Sequence, residues 1–209
     1  MTLPGAGDSP EWGNVVEQGA VVRIMTRIMI IVGSVRPGRI GLPIAQWVRE
    51  RVEAAGHEVD FADLAEIALP FLDEPAHPAK KQYTQPHTVA WSERVDAAEA
   101  VILVTPEYNH SYSPALKNAL DFLFREWSRK PVAFVSYGGV SGGLRGVTAL
   151  EPVLLALGMV RSTADVIIPG ASRQIEDGTL AHDDSRERAM EAVIDELASL
   201  AGPLAALRT

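Results

Sequence analysis

One serine and two arginines, Ser34, Arg36 and Arg39, stand within six residues of one another, interleaved with Gly33 and Gly38 and followed by Ile40 and Gly41. A hydroxyl and two guanidinium groups in a glycine-rich stretch suit an anion. The run at 28–32 ahead of them is apolar and β-branched, and a helical pattern follows from Pro43, with Ile44, Val48 and Val52 four residues apart. A glycine-rich turn entering a helix leaves backbone N–H groups free, and phosphate is the usual occupant. The side chains add more than the backbone: a charge-assisted arginine bond contributes about 1.5–3 kcal/mol, against about 0.3–1 kcal/mol from an exposed helix dipole. Gly33 and Gly38 have the outline of a P-loop, but Arg39 and Ile40 stand where lysine and a hydroxyl residue belong, so a nucleotide triphosphatase is rejected. Val35 occupies the second glycine position of a dinucleotide fingerprint and removes that reading too.

Two further stretches carry unusual chemistry. Residues 105–113 read Thr-Pro-Glu-Tyr-Asn-His-Ser-Tyr-Ser, with Pro106, Glu107, Tyr108 and Asn109 combining a stiff backbone, an acid, a ring and an amide. Such a mixture suits a flat heteroaromatic ligand. Residues 137–143 read Tyr-Gly-Gly-Val-Ser-Gly-Gly, where Tyr137, Gly138, Gly139, Ser141, Gly142 and Gly143 let the backbone approach a ligand closely. His110 is a candidate base, but a loop histidine is more often solvated. No carboxylate pair, metal-ligand spacing or Ser-His-Asp order accompanies these loops. A binding surface without chemical machinery is expected where a cofactor supplies the reactivity.

The elements that must position these loops alternate along the chain. Strands are expected at 28–32, 57–64, 100–105, 131–136 and 160–168; helices at 43–55, 89–99, 113–127, 144–157 and 184–201. Five strands alternating with five helices predict a parallel sheet covered on both faces. The loops after strands one, three and four then meet beyond the carboxyl ends of the strands, where ligands of such sheets bind. The proline-rich stretch at 66–87 is expected to be a long loop, functional or mobile.

Composition sets the outer bounds. With 209 residues, 47% of them hydrophobic and 22% charged, one α/β domain over 25–209 is expected, preceded by a loosely ordered extension at 1–24. Met25 is a candidate translation start. The net charge of −8 argues against a general nucleic-acid or anionic-membrane surface. The absence of cysteine removes disulfides, thiol catalysis and cysteine-based metal sites. No apolar run approaches the roughly 20 residues of a membrane span, and no signal peptide is visible, so the cytoplasm is the expected location.

Together, Gly33-Ser34-x-Arg36, Pro106-Glu107-Tyr108-Asn109, the run Pro-Ala-Leu-Lys-Asn-Ala-Leu-Asp at 114–121 and Gly-Gly-Val-Ser-Gly-Gly at 138–143 resemble the NADPH-dependent FMN reductases, over roughly residues 27–200. The resemblance implies a flavodoxin-like three-layer sandwich with strand order 2-1-3-4-5. It also implies FMN as cofactor, NADPH or NADH as hydride donor, and quinone-like or other small acceptors. It places the FMN phosphate on Ser34, Arg36, Arg39 and Ile40, the isoalloxazine ring along Pro106 to Asn109, and the ring's far side against residues 137–143. Many members carry serine or threonine where this chain has Arg39, and the extra charge is expected to tighten the phosphate grip or reach NADPH. A flavin-binding electron carrier or regulatory module is the alternative, although carriers hold phosphate without arginines. A receiver domain lacks its acidic cluster here, and a low-molecular-weight phosphatase lacks its cysteine. Finally, an uninterrupted helix over 113–127 would carry an apolar arc of about 200°, where about 100° suffices to cover a sheet. Phe122 and Phe124 would then lie near water, which predicts a homodimer or homotetramer through that helix; the alternative is that the long loop at 66–87 folds over these rings.

Overall fold

The computed structural model describes residues 25–208, so the expected extension at 1–24 lies outside the described residues. Strand β1 (Arg27–Val32) is buried along Ile28 to Val32, because its alternate side chains enter two different cores. Met29 and Ile31 face one with Trp91, Leu120 and Trp127; Ile28, Ile30 and Val32 face the other with Ile44, Val48 and Leu197. Around it run β2 (Glu58–Asp63), β3 (Ala100–Pro106) and β4 (Pro131–Tyr137). All pairings in this sheet are parallel, in the order β2-β1-β3-β4 and then β5 (Val160–Arg161), as expected. Helices α1 (Gly41–Ala54) and α6 (Asp184–Ala205) pack on one face. Helices α3 (Pro86–Ala97), α4 (Pro114–Asp121) and α5 (Leu144–Ala156) pack on the other, and a single turn, α2 (Leu64–Ile67), follows β2.

The expected fifth strand is broken in two. β5 (Val160–Arg161) pairs with the start of β4, and β6 (Val166–Ile168) pairs with its end. After a last bond from the Ser162 N–H to the Val132 carbonyl at 2.8 Å, the mostly polar residues 163–165 between them leave the ladder. The Asp165 carboxylate replaces a backbone acceptor by taking the Phe134 N–H at 2.9 Å. Glu196 on α6 accepts the N–H groups of Thr163 and Ala164, both at 2.9 Å, and the Ser162 hydroxyl at 2.7 Å. These bonds hold the Glu196 carboxyl down at about 2, with the Thr163 N–H the largest cause. Beyond β6 the chain forms a small hairpin, β7 (Ile175–Glu176) and β8 (Thr179–Leu180), that the sequence reading did not include.

Helix α4 also ends early, at Asp121 instead of near Trp127, and a 3-10 turn at Arg125–Trp127 follows. Two buried indoles account for the stop. Trp91 Nε1 donates to the Ala119 carbonyl at 2.9 Å and Trp127 Nε1 to that of Leu120 at 3.0 Å, satisfying last-turn carbonyls that a continuing helix would have used. The chain then folds back so that Phe122, Leu123 and Trp127 are all buried. The surplus apolar arc therefore does not exist. Phe122 is fully buried, edge-on to His87, and only Phe124 reaches solvent, at 38%.

The long 66–87 segment covers this region. Asn118 on α4 donates to the Pro70 carbonyl at 2.7 Å and accepts the Leu72 N–H at 3.1 Å. Arg125 donates to the Ala79 carbonyl at 2.8 Å. The Glu126 carboxylate, buried below, accepts the hydroxyls of Tyr83 at 2.9 Å and Ser92 at 2.6 Å. Burial, and Glu126 beside it, push the Tyr83 phenol well above its ordinary range.

Candidate active site

Strands β1, β3 and β4 end at one edge of the sheet, and their loops enclose a cavity of about 240 Å³. Its walls are Ser34, Arg36, Pro37, Gly38, Arg39 and Ile40 from the first loop, Pro106, Glu107 and Tyr108 from the second, and Tyr137 and Gly138 from the third. The first loop turns at Arg36-Pro37-Gly38-Arg39, closed by the Arg39 N–H on the Arg36 carbonyl at 3.2 Å. Proline at the second position and a glycine with φ of 68° at the third suit a type II turn. The turn sends its two arginines in different directions. Arg36 lies over the Tyr108 ring, 5.9 Å from its centroid, and makes no ion pair among the described residues. Arg39 lines the cavity, but its guanidinium forks onto the Asp63 carboxylate at 2.6 and 2.5 Å. The expected second free cation for a phosphate is therefore already neutralised.

Two hydroxyls are left without partners at the floor of this cavity. Ser34 and Tyr137 are buried, and neither finds a hydrogen-bond partner in acceptable geometry among the described residues. Both crowd Gly41, the first residue of α1: a Cβ there would sit 2.1 Å from the Tyr137 hydroxyl and 2.4 Å from Ser34 Oγ. Burial pushes the Tyr137 phenol far up, and the neighbouring Ser34 hydroxyl opposes that shift. Burial likewise raises Tyr108, against the pull of Arg36. Buried polar atoms without partners are costly. Here they face a cavity that also holds Arg36, the donor set that phosphate oxygens would satisfy.

The second loop is a tight hairpin. Tyr108 and Ser111 exchange backbone bonds at 2.8 and 3.0 Å around Asn109 and His110, whose φ values of 50° and 65° fit a type I′ turn. Both residues of the turn are exposed, and neither Asn109 nor His110 lines the cavity. Glu107 does line it, and it also ties the second loop to the third. Its carboxylate accepts the Ser141 hydroxyl at 2.6 Å, the Arg145 N–H at 3.2 Å and the Arg145 guanidinium at 3.0 Å. These contacts, led by Ser141, hold it below the usual carboxylate range.

In the third loop only Tyr137 and Gly138 reach the cavity; Gly139, Ser141, Gly142 and Gly143 do not. Gly142 and Gly143 are buried because the loop folds on itself. A Cβ on Gly143, at φ of 93°, would lie 2.8 Å from the Tyr137 nitrogen, and one on Gly142 would lie 2.5 Å from Ile167. Glycine at both positions is required by the path of the chain. Asp63, Pro37 and Arg145 were not singled out from the sequence. Pro37 lies inside the 33–41 motif and Arg145 sits one residue into the helix that the glycine loop opens, but Asp63 ends a different strand and no signal near the motif points to it.

A family model, NADPH-dependent FMN reductase, matches residues 26–172. The chain belongs to that family. Its members are oxidoreductases that use FMN, and the strand order is that of the flavodoxin-like fold. An NAD(P)H-dependent FMN reductase of Nectria sp is 32% identical over 174 residues, spanning 78% of this chain and 87% of its own. One from Schizosaccharomyces pombe is 41% identical over 126 residues, a stretch that covers 59% of this chain and only 63% of the relative. Among solved structures, the flavoenzyme NAD(P)H:(acceptor) oxidoreductase FerB from Paracoccus denitrificans superposes with a TM-score of 0.68 at 22% identity. That match covers 86% of this chain and 98% of FerB, a likeness of fold.

Proposed function

We propose that the cavity holds FMN, with its phosphate against the 33–40 loop and its ring system toward Pro106 to Tyr108, and that the protein passes electrons from NAD(P)H to quinone-like or other small acceptors. The observation that carries this reading is the pair of unpartnered hydroxyls, Ser34 and Tyr137, in the same cavity as Arg36. FMN, when bound, supplies the hydride-accepting and electron-donating chemistry. The chain's own residues bind and orient it: Ser34 and Tyr137 donate hydroxyls, Arg36 supplies charge, and Glu107 holds the second and third loops together. Among the described residues, the cavity offers no acid or base beyond the lowered Glu107 and the raised tyrosines, which fits a reaction whose reactivity comes with the cofactor.

A staphylococcal relative 30% identical to this chain is named an FMN-dependent NADPH-azoreductase, which supports azo compounds as one class of acceptor. The cavity is smaller than the roughly 300–1,000 Å³ of a typical small-molecule site, and Val140 stands 98% exposed at the tip of the glycine loop. Both support self-association that covers the rest of the ligand, through the loop tips rather than through Phe122. Among the described residues no helix is long and apolar enough to cross a membrane, and the cytoplasm remains the proposed location. The test is direct. The purified protein should be yellow or turn yellow with FMN, and should bleach anaerobically when NADPH or NADH is added. Protein that takes up no FMN would refute the reading; a flavoprotein that no nicotinamide reduces would be an electron carrier instead.

A further inference from the structure

Arg39 lines the cavity, but both terminal nitrogens of its guanidinium are already engaged. Besides its two bonds to Asp63, its Nη1 donates to the Ser34 carbonyl at 2.6 Å, so one guanidinium joins both ends of the 34–39 loop to a neighbouring strand. The Arg39 side chain is 13% exposed and that of Asp63 1%. Asp63 is itself fixed. It is the last residue of β2, it pairs in register with Val32 immediately before the loop, and its Oδ1 accepts the Ala65 N–H at 3.0 Å.

We propose that Asp63 is a positioning residue for the cofactor. Acting through Arg39, it holds the 33–40 loop in the shape that aims the Ser34 hydroxyl and Arg36 into the cavity, and Arg39 is not a phosphate ligand. The proposal rests on the assignment of this cavity to FMN. Three physical points support it. A planar fork on a carboxylate fixes geometry in a way that a single contact does not. A loop ordered in advance spares the ligand the cost of ordering it. The carboxylate also cancels the Arg39 charge, leaving Arg36 to supply the attraction for a dianion.

The two possible roles of Arg39 predict opposite signs for one substitution. If Arg39 were a phosphate ligand, Asp63→Asn would free a cation and tighten FMN binding. If the pair positions the loop, Asp63→Asn and Arg39→Ala should each weaken FMN at least about tenfold, and the double variant should be little worse than either single one. Riboflavin affinity should stay within about twofold, since the loop serves the phosphate; a general loss of structure would lower both. Arg39→Lys should recover only part of the loss, because an ammonium cannot fork.

Fluorescence titration of the flavin-free protein with FMN and with riboflavin, alongside thermal melts, reads all of these. Should Asp63→Asn melt too early to titrate, Arg39→Met combined with Asp63→Leu replaces the buried pair by apolar bulk, which such pairs tolerate. Wild-type FMN affinity in that double variant would overturn the proposal, as would tighter or unchanged binding in Asp63→Asn. Arg36→Ala is the control: if it too leaves FMN affinity unchanged, the cofactor assignment has failed rather than the positioning role.

Discussion

Arg36 and Tyr137 carry the strongest expectations at the scale of single residues. Arg36 has no competing carboxylate among the described residues, so Arg36→Ala should cost about 1.5–3 kcal/mol of FMN affinity, the worth of a charge-assisted bond, and little for riboflavin. The Tyr137 hydroxyl is buried without a partner. Tyr137→Phe should therefore leave the flavin-free protein as stable or slightly more so, while weakening FMN by about 0.5–1.5 kcal/mol, the usual net worth of a neutral hydrogen bond. Melting curves and FMN titrations of the same variant check both halves. His110 sits exposed in a hairpin turn outside the cavity. His110→Ala should keep flavin reduction by NAD(P)H within about tenfold, or about 1.4 kcal/mol of barrier, in anaerobic stopped-flow traces; a loss of several hundredfold with FMN still bound would make it a catalytic group. The positions of Ser34, Arg36 and Tyr137 could be read from residue types, because a turn between a buried strand and a helix leaves few places for them to go. The direction of Arg39 could not. A four-residue turn separates two guanidinium groups that look equivalent in sequence, and the partner that decides between them ends a different strand.

At the scale of elements, two boundaries depend on side chains that arrive from elsewhere in the chain. Helix α4 stops where the indoles of Trp91 and Trp127 take its carbonyls, a contact that no periodicity of residues 113–127 reveals. Phe122, expected at a surface, is buried as a result. Phe122→Ala should cost about 3–5 kcal/mol of stability in denaturant titrations, as buried rings do, and Phe124→Ala far less. The break between β5 and β6 depends in the same way on Glu196. Its carboxyl is lowered from an ordinary 4.5 to about 2 on folding, so its stabilising contribution is complete above about pH 4.5 and is lost as the pH falls toward 2. Glu196→Gln should thus melt lower than the wild type near pH 6, and the gap should close between pH 4.5 and 2. A gap that persisted at pH 2 would show that the carboxylate charge is not what holds residues 162–165.

For the whole molecule, the parallel sheet and the convergence of three loops at one edge followed from patterning, since strands buried on both faces read as unbroken apolar runs, whereas the strand order came from the resemblance to the reductases. Self-association is settled by mass. Light scattering should give a multiple of the 22.5 kDa chain, and Val140→Glu, at the exposed tip of the glycine loop, should reduce it toward one copy. A single-chain mass for the wild type would remove that part of the proposal. The divided strand has a consequence for the molecule in a crowded solution. An intact run over 160–168 would present a long row of unmatched N–H and C=O groups to any passing chain, a template for strand-to-strand polymerisation. Instead the border offers two residues, a polar detour whose N–H groups Glu196 already occupies, and three more residues. At the opposite border, β2 carries Glu58 and Asp60, which pair with Arg27 and Arg94. Neither border can readily recruit a foreign strand. Replacing Glu196 by alanine would loosen the detour, and fibrous aggregates detected by thioflavin fluorescence on prolonged warming would be the sign that the border had become adhesive.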